Sequence, residues 1–366
     1  MQSEWNIETV PTPCLIIDAD IVRHNIQKLA DYATQHNLRL RPHTKTHKLQ
    51  HVSQMQMQAG AAGLTVAKVG EGEVMRPMCD DLLIAYPTLD TYRAHQVAPL
   101  AQHGSVTVGV DSELAVERLS DAAQAAGVEI GILVDLDVGF HRTGVQSPEL
   151  ALCLAKSADQ APGLILKGIM YFPGHVYGTD EQIATLLKGI DEQLGEARGL
   201  WQQHGLNCEI ISGGSTPTAY HSHLTRNTNE IRPGTYVYND ANCINFGVAD
   251  VQECAARIIT TVVSDAVEGQ VVLDAGSKTL TSDKNAVSPD SGHGYLIDYP
   301  AAQVHRLSEE HGQTDVSACV KQPKLGERVV LIPNHICPCV NLQERIWWKE
   351  GDKLTAMPVD ARGLLV

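Results

Sequence analysis

Nowhere in the 366 residues do about 18 apolar side chains follow one another, the length a membrane-spanning helix needs. The amino terminus, Met-Gln-Ser-Glu-Trp-Asn, carries an acid at Glu4 and no apolar stretch of signal-peptide length, so a cytoplasmic protein is expected. Positive charge is also scarce. Lys and Arg number 28 against 43 Asp and Glu, a formal net charge of -15 at pH 7. That balance speaks against the basic footprint of nucleic-acid binding or attachment to an anionic membrane. An anionic cofactor would need a local positive pocket. The nine cysteines (14, 79, 153, 208, 243, 254, 319, 337 and 339) are odd in number and lack disulfide-framework spacing, so reduced thiols are expected. Only Cys337 and Cys339 are close, and one intervening residue does not make a CxxC pair. There is no internal repeat and no low-complexity linker. What remains, 43% hydrophobic and 19% charged residues, suits a globular chain with a sizeable core.

Pro13-Cys14-Leu15-Ile16-Ile17 reads as a buried strand, and Asp18 or Asp20 can cap the helix whose apolar positions recur at Val22, Ile26, Leu29, Ala30 and Ala33. Short apolar runs then alternate with amphipathic stretches. The runs fall at 38–41, 63–66, 82–85, 106–110, 129–134, 164–170, 208–211 and 230–237. Strands alternating with helices predict a parallel sheet, and a count of about eight favours a closed (β/α)8 TIM-type barrel over an open sheet. From about residue 250 the pattern becomes β-rich, at 256–263, 270–274, 327–332 and 345–348. The expected architecture is therefore α/β: a barrel over 15–245, with 1–14 and 246–366 forming a mostly antiparallel β domain.

The stretch Arg41-Pro-His-Thr-Lys-Thr-His-Lys48 follows the first barrel strand, where the catalytic rim of such a barrel lies. Lys45 is the candidate nucleophile. Only its free amine attacks carbonyl carbon, and the nearby cations Arg41 and Lys48 are one way to lower its pKa. A solvated basic loop is the alternative. Arg142, in Asp135-Leu-Asp-Val-Gly-Phe-His-Arg-Thr-Gly144, reads equally as a partner of Asp135 or Asp137 at a helix start. Ser212-Gly-Gly-Ser-Thr216 follows an apolar strand; its glycines let backbone N–H groups close on a phosphate, with the Ser215 and Thr216 hydroxyls as further donors. Pro333-Asn-His-Ile-Cys-Pro338, taken as extended, turns His335 and Cys337 to one face, an imidazole and a thiolate suited to zinc. Cys339 is their neighbour. The segments 274–278, 292–294 and 307–312 read as turns.

Arg-Pro-His-Thr-Lys-Thr-His-Lys resembles the pyridoxal-phosphate lysine motif of the D-threonine aldolase and D-serine dehydratase family, relatives of alanine racemase. Further matches follow in order along nearly the whole chain. The resemblance implies the alanine-racemase-like (fold type III) architecture, pyridoxal 5'-phosphate on Lys45, and Arg142 approaching the cofactor's phenolic oxygen. It implies that Tyr171 of Met170-Tyr-Phe-Pro-Gly-His175 packs on or hydrogen-bonds the cofactor, and that His175 acts as general base or orients a metal-bound water. The Phe-Pro of this segment departs from the aldolase pattern. Glu230-Ile-Arg-Pro-Gly-Thr-Tyr236 resembles a second phosphate segment, adding Gly234, Thr235 and Tyr236 to Gly213, Gly214, Ser215 and Thr216; Arg232 aligns with the arginine that faces the pyridine nitrogen in alanine racemase and is not assigned that role here. The family also carries a His-X-Cys or His-X-Asp pair where His335 and Cys337 stand, holding a divalent metal, zinc or manganese, on the substrate's β-hydroxyl. The implied activity is a lyase on D-3-hydroxy amino acids, first a D-threonine aldolase-type cleavage to glycine and an aldehyde. The alternative is a D-serine or D-3-hydroxyaspartate dehydratase. A racemase and a non-catalytic pyridoxal-phosphate-binding protein are weaker readings. A homodimer is implied, with a small D-amino acid as substrate.

Overall fold

The computed structural model describes residues 10–366, so what was expected of residues 1–9 lies outside it. The described chain divides into two compact units: one of Gln27–Lys45, Gln50–Gly234 and Leu364–Val366, the other of the residues up to Ile26 with Thr46–Leu49 and Thr235–Gly363.

The first unit is built on the strands that follow β1 (Cys14–Asp18): β2 (Arg39–Leu40), β3 (Leu64–Val66), β4 (Asp81–Ile84), β5 (Ser105–Val110), β6 (Ile130–Asp135), β7 (Leu164–Met170), β8 (Ile210–Gly213) and β9 (Glu230–Ile231). They form one eight-stranded sheet in the order β2-β9-β8-β7-β6-β5-β4-β3, every pair parallel. Its two ends meet. Ala62 N–H donates to the Leu40 carbonyl and Thr65 N–H to that of Pro42, each at 2.8 Å, which closes the barrel. Strands such as β6 read as near-continuous apolar runs because both of their faces are covered. In β6 every residue is buried, and Leu83, Leu133, Met170 and Ile210 pack together in one core cluster.

The covering helices begin and end where local chemistry directs. The Ser112 hydroxyl caps Glu113–Ala126, which stops at Gly127 with a left-handed φ of 64°. Thr179 and Gln182 make a capping box for Asp180–Gln203. For the helix Ala19–Gln35 the cap is Asp18, whose carboxylate accepts the N–H groups of Asp20 and Ile21 at 3.1 and 3.3 Å. Its expected apolar positions, Val22, Ile26, Leu29, Ala30 and Ala33, are all buried.

The second unit is a nine-stranded sheet. β1 joins β10 (Ala256–Val267), β11 (Gln270–Leu273), β12 (Tyr295–Leu296), β13 (Gln303–Leu307), β14 (Gly312–Asp315), β15 (Arg328–Ile332), β16 (Arg345–Glu350) and β17 (Lys353–Pro358). The main path is β13-β14-β11-β10-β1-β16-β17, with β15 on β10 and β12 on β15. Only the β1–β16 pair is parallel.

The division expected at 15 and 245 differs from these units at both edges. β1 pairs here, Cys14 opposite Ile259 and Ile16 opposite Trp347, and Thr235–Asn245 groups with this unit as well. A five-residue apolar strand buried on both faces reads the same in either sheet, and only its tertiary partners decide. The segment 307–312 is the turn of the β13–β14 hairpin. All nine cysteines are free thiols. Among the described residues no helix is long and apolar enough to cross a membrane.

Candidate active site

β2 ends at Leu40, and the chain enters a single 3-10 turn, Thr44–Thr46, that carries Lys45. From Leu40 to Leu49 every residue is buried except Lys45, which is partly exposed. A solvated basic loop is thereby excluded. The expected activation by neighbouring cations is not supported either. Arg41 is 3% exposed and turned into carboxylates, its NH2 group 2.7 Å from Asp81 Oδ2 and its Nε 3.0 Å from Glu230 Oε2. Burial alone would lower the Arg41 pKa, but Glu230 and Asp81 more than restore its charge and offset its field. The Lys48 ammonium donates to the Ala361 carbonyl at 3.2 Å.

Past β6, Asp137 braces the loop to Gly144. Its carboxylate accepts N–H from Gly139 at 3.0 Å and His141 at 2.9 Å, together with the Gln146 amide at 2.9 Å. Its burial is outweighed by these donors, which hold the carboxyl down at about 2. Asp137 is thus engaged locally, and Arg142 makes no ion pair with it or with Asp135 among the described residues. The guanidinium instead lies over the rings of Phe172 and Phe140, 4.4 and 5.4 Å from their centroids. The rings meet edge to face at 5.2 Å. Phe172, the departure from the aldolase pattern, is the platform for Arg142. Together they line a small pocket with Asp135, Leu136, Asp137 and Thr143.

Tyr171 follows β7 and is fully buried. Its hydroxyl lies 2.8 Å from Thr228 Oγ1, and its carbonyl accepts from Arg232 at 2.7 Å. The ring packs on Gly213, where any Cβ would overlap it. Gly214 follows with φ of 82°, and the Ser215 hydroxyl lies 3.1 Å from that of Thr218. Among the described residues no acceptor meets the N–H groups of Gly214, Thr216 and Gly234, all buried. Buried donors of this kind are costly unless a ligand satisfies them, and a phosphate would. Arg232, fully buried, directs its Nε to Ser212 Oγ at 3.0 Å and its NH2 group to the Tyr171 and Ser212 carbonyls. Asp135 lies beside it. Burial raises the Asp135 carboxyl to about 6, against the opposing pull of Thr143, Arg232 and Arg142. His175 packs against Gly139, where a Cβ would stand 3.2 Å from Nε2. Its buried Nδ1 has no partner among the described residues. Burial lowers the His175 pKa, with Asp137 opposing.

In the other unit, the segment expected to be extended is a helix, Ile336–Leu342, with His335 as its extended N-cap. Pro338 falls in the first turn, where a missing N–H breaks no helical bond. Burial alone would lower the His335 imidazole pKa, but Cys337, with Asp240 and Asp283, raises it to about 10. Cys339 does not share their face. It is buried, and its thiol donates to the Leu280 carbonyl at 3.3 Å. Cys337 Sγ lies 3.2 Å from the hydroxyl of Thr46 and 3.6 Å from that of Thr235. Thr235 was expected at a phosphate, and Tyr236 beside it is buried. No group of three or more His, Cys, Asp or Glu positioned to hold an ion occurs among the described residues. A thiolate and an imidazole alone suit zinc and leave positions for water and substrate. Thr46 stood in the basic motif without a role. Asp283, 2.8 Å from His335 Nδ1, was missed, since nothing in the sequence links positions 52 residues apart.

A parallel barrel with a partly exposed lysine past its first strand, together with a separate mostly antiparallel sheet, matches the alanine-racemase-like, fold-type III architecture of pyridoxal-phosphate enzymes. Residues 17–242 match the alanine racemase N-terminal domain, and residues 255–348 match a putative serine dehydratase domain. The chain is 33% identical over 370 residues to the 3-hydroxy-D-aspartate aldolase of Paracoccus denitrificans (strain Pd 1222), covering 97% of this chain and 92% of that one. A D-threonine aldolase crystal structure from Filomicrobium marinum superposes with a TM-score of 0.88 at 30% identity, over 98% of this chain and 96% of that one. A cysteine-to-alanine mutant of a D-threo-3-hydroxyaspartate dehydratase, in its metal-free form, superposes with a TM-score of 0.88 at 26% identity, over 96% and 97%. The chain belongs to this family of pyridoxal-phosphate-dependent aldolases and dehydratases, lyases that act on D-3-hydroxy amino acids.

Proposed function

We propose that this chain is a divalent-metal-assisted D-3-hydroxy amino acid aldolase, cleaving its substrate to glycine and an aldehyde. The observation that carries the reading is the His335–Cys337 pair with the Thr46 hydroxyl 3.2 Å from its sulfur, because Thr46 is covalently next to Lys45. A homodimer is part of the reading, as the alanine-racemase-like arrangement implies.

When bound, pyridoxal phosphate supplies an electron sink at Cα and the metal, zinc or manganese, a Lewis acid at the β-oxygen. Lys45 would hold the cofactor through its side-chain amine, the position that the substrate's amine would take up. The buried N–H groups of Gly214, Thr216 and Gly234, with the hydroxyls of Ser215 and Thr216, hold the phosphate, and Thr235 and Tyr236 continue that segment. Arg142 serves the phenolic oxygen and Tyr171 walls the cofactor. His335 and Cys337 hold the metal. His175, kept neutral by burial that lowers its pKa, accepts the β-hydroxyl proton. The O–H electron pair becomes the aldehyde C=O as Cα–Cβ breaks, and a proton returned to Cα leaves glycine.

The dehydratase reading has its own support, a cysteine rather than an aspartate as second metal ligand. There Lys45 removes the α-proton, hydroxide leaves Cβ, and hydrolysis gives a keto acid and ammonia. The deciding assay incubates the cofactor- and metal-loaded protein with D-threonine and, separately, D-3-hydroxyaspartate, measuring aldehyde and keto acid in the same sample. Chelated protein and Lys45→Ala serve as controls. Chelator-sensitive aldehyde with glycine supports the aldolase. Keto acid with ammonia assigns the dehydratase and removes His175 from the catalytic set.

A further inference from the structure

The carboxylate that touches the metal-side imidazole has no part in the scheme above. Asp283 Oδ2 lies 2.8 Å from His335 Nδ1, and Asp283 is held where it stands. Its carbonyl accepts the side-chain amide of Asn334 at 3.1 Å, and the same amide donates to the Gly292 carbonyl at 2.8 Å. Asn334 is 3% exposed and immediately precedes His335. The Asp283 N–H donates to the Thr281 hydroxyl at 3.2 Å, and three residues on, the Ala286 N–H donates to Asn242 Oδ1 at 2.8 Å. One buried amide therefore ties the backbone of the carboxylate to the chain that carries the imidazole.

A second acid handles the other half of the motif. Asp240, 1% exposed, accepts the N–H of Ile336 at 3.0 Å and that of Cys243 at 3.0 Å, fixing the backbone between His335 and Cys337. The imidazole ring itself is oriented by Asp283. A carboxylate on Nδ1 selects the tautomer with the proton on that nitrogen, leaves Nε2 as the donor nitrogen and raises its basicity.

We propose that Asp283 is the positioning residue of the metal centre, holding His335 as an Nε2 ligand through its Nδ1–H. The proposal rests on the reading of His335 and Cys337 as the metal pair. A purely structural role predicts little, because the two side chains are 46% and 41% exposed and an ion pair this open to water contributes little to folding. Asp283→Ala should therefore fold normally and bind metal poorly.

The test measures zinc affinity of the cofactor-loaded protein by competition with a chromophoric chelator, in wild type, Asp283→Ala, Asp283→Asn, His335→Ala and Cys337→Ala. Cobalt(II) spectra and urea unfolding are recorded alongside. Asp283→Ala is expected to weaken binding by about 10–100-fold while keeping the thiolate–cobalt charge-transfer band and the unfolding midpoint. Asp283→Asn, whose amide oxygen still accepts Nδ1–H, should recover most of the affinity. An Asp283→Ala affinity within about threefold of wild type overturns the proposal and leaves the metal pair standing. So does an Asp283→Asn variant as weak as His335→Ala, which would make the carboxylate a ligand. Unchanged affinity in both His335→Ala and Cys337→Ala overturns the reading on which the proposal rests.

Discussion

Gly213→Ala probes how the barrel's rim is packed where β7 and β8 end. The constraint at Gly213 is a close approach rather than a special φ: a Cβ there would stand 2.5 Å from Tyr171 Cδ1 and closer still to Cε1 and Cζ. Ordinary carbon contacts begin near 3.5 Å, so the ring must retreat by roughly 1.5 Å. It has no room to do so. Tyr171 is 1% exposed, its hydroxyl is held at 2.8 Å by Thr228, and its carbonyl is held at 2.7 Å by Arg232. Overpacking a filled site costs about 1–3 kcal/mol, and a ring pinned at both ends puts the loss at the upper end, about 3 kcal/mol. Reversible urea unfolding followed by circular dichroism reads the loss as a lower midpoint at constant slope. In a Tyr171→Leu background the same substitution should cost less than about 1 kcal/mol, since the atoms it overlaps are gone. A loss under about 1 kcal/mol in the wild-type background, or equal losses in both, would refute the packing argument.

Arg41→Ala strands Glu230, 1% exposed, without its 3.0 Å partner. Unfolding should show a loss of about 3–5 kcal/mol, largely restored by Glu230→Gln in the same chain, and no restoration would mean the pair is not what holds the site. Asp135 gives a pH signature. Its folded pKa of about 6 lies above the ordinary 3.8, so the folded state binds the extra proton, and stability falls as pH rises from about 4 through 6. The stability of Asp135→Asn relative to wild type should therefore climb by on the order of 3 kcal/mol between pH 4 and 7.5, and a pH-independent difference would remove burial as the cause. Chelation should abolish the lyase activity of the wild type, and zinc or manganese should restore it. Cys337→Ala should show no such recovery, and full metal-dependent activity in that variant would remove Cys337 from the ligand set.

The alternation of short apolar runs with amphipathic stretches was enough to place all eight barrel strands, because burial of both faces of a parallel strand is written into consecutive residues. The helix Ala19–Gln35 was legible in the same way, through the spacing of Val22, Ile26, Leu29, Ala30 and Ala33. Lys45 stood out by its basic motif, and only the structure revealed that its basic neighbours are buried and engaged elsewhere, Arg41 with Asp81 and Glu230. The sheet that receives β1 was likewise undecided until Cys14 met Ile259. At Pro333–Pro338 the segment expected to be extended is an extended N-cap followed by a helix. Residues two apart share a face on a strand and diverge on a helix, and here the chain changes from extended to helical between His335 and Cys337. Periodicity and motifs act over a few residues, where the chain's own geometry fixes which side chains are neighbours. The partners of a buried charge or of an imidazole, Glu230 for Arg41 and Asp283 for His335, come from distant segments whose meeting depends on the packing of the chain as a whole.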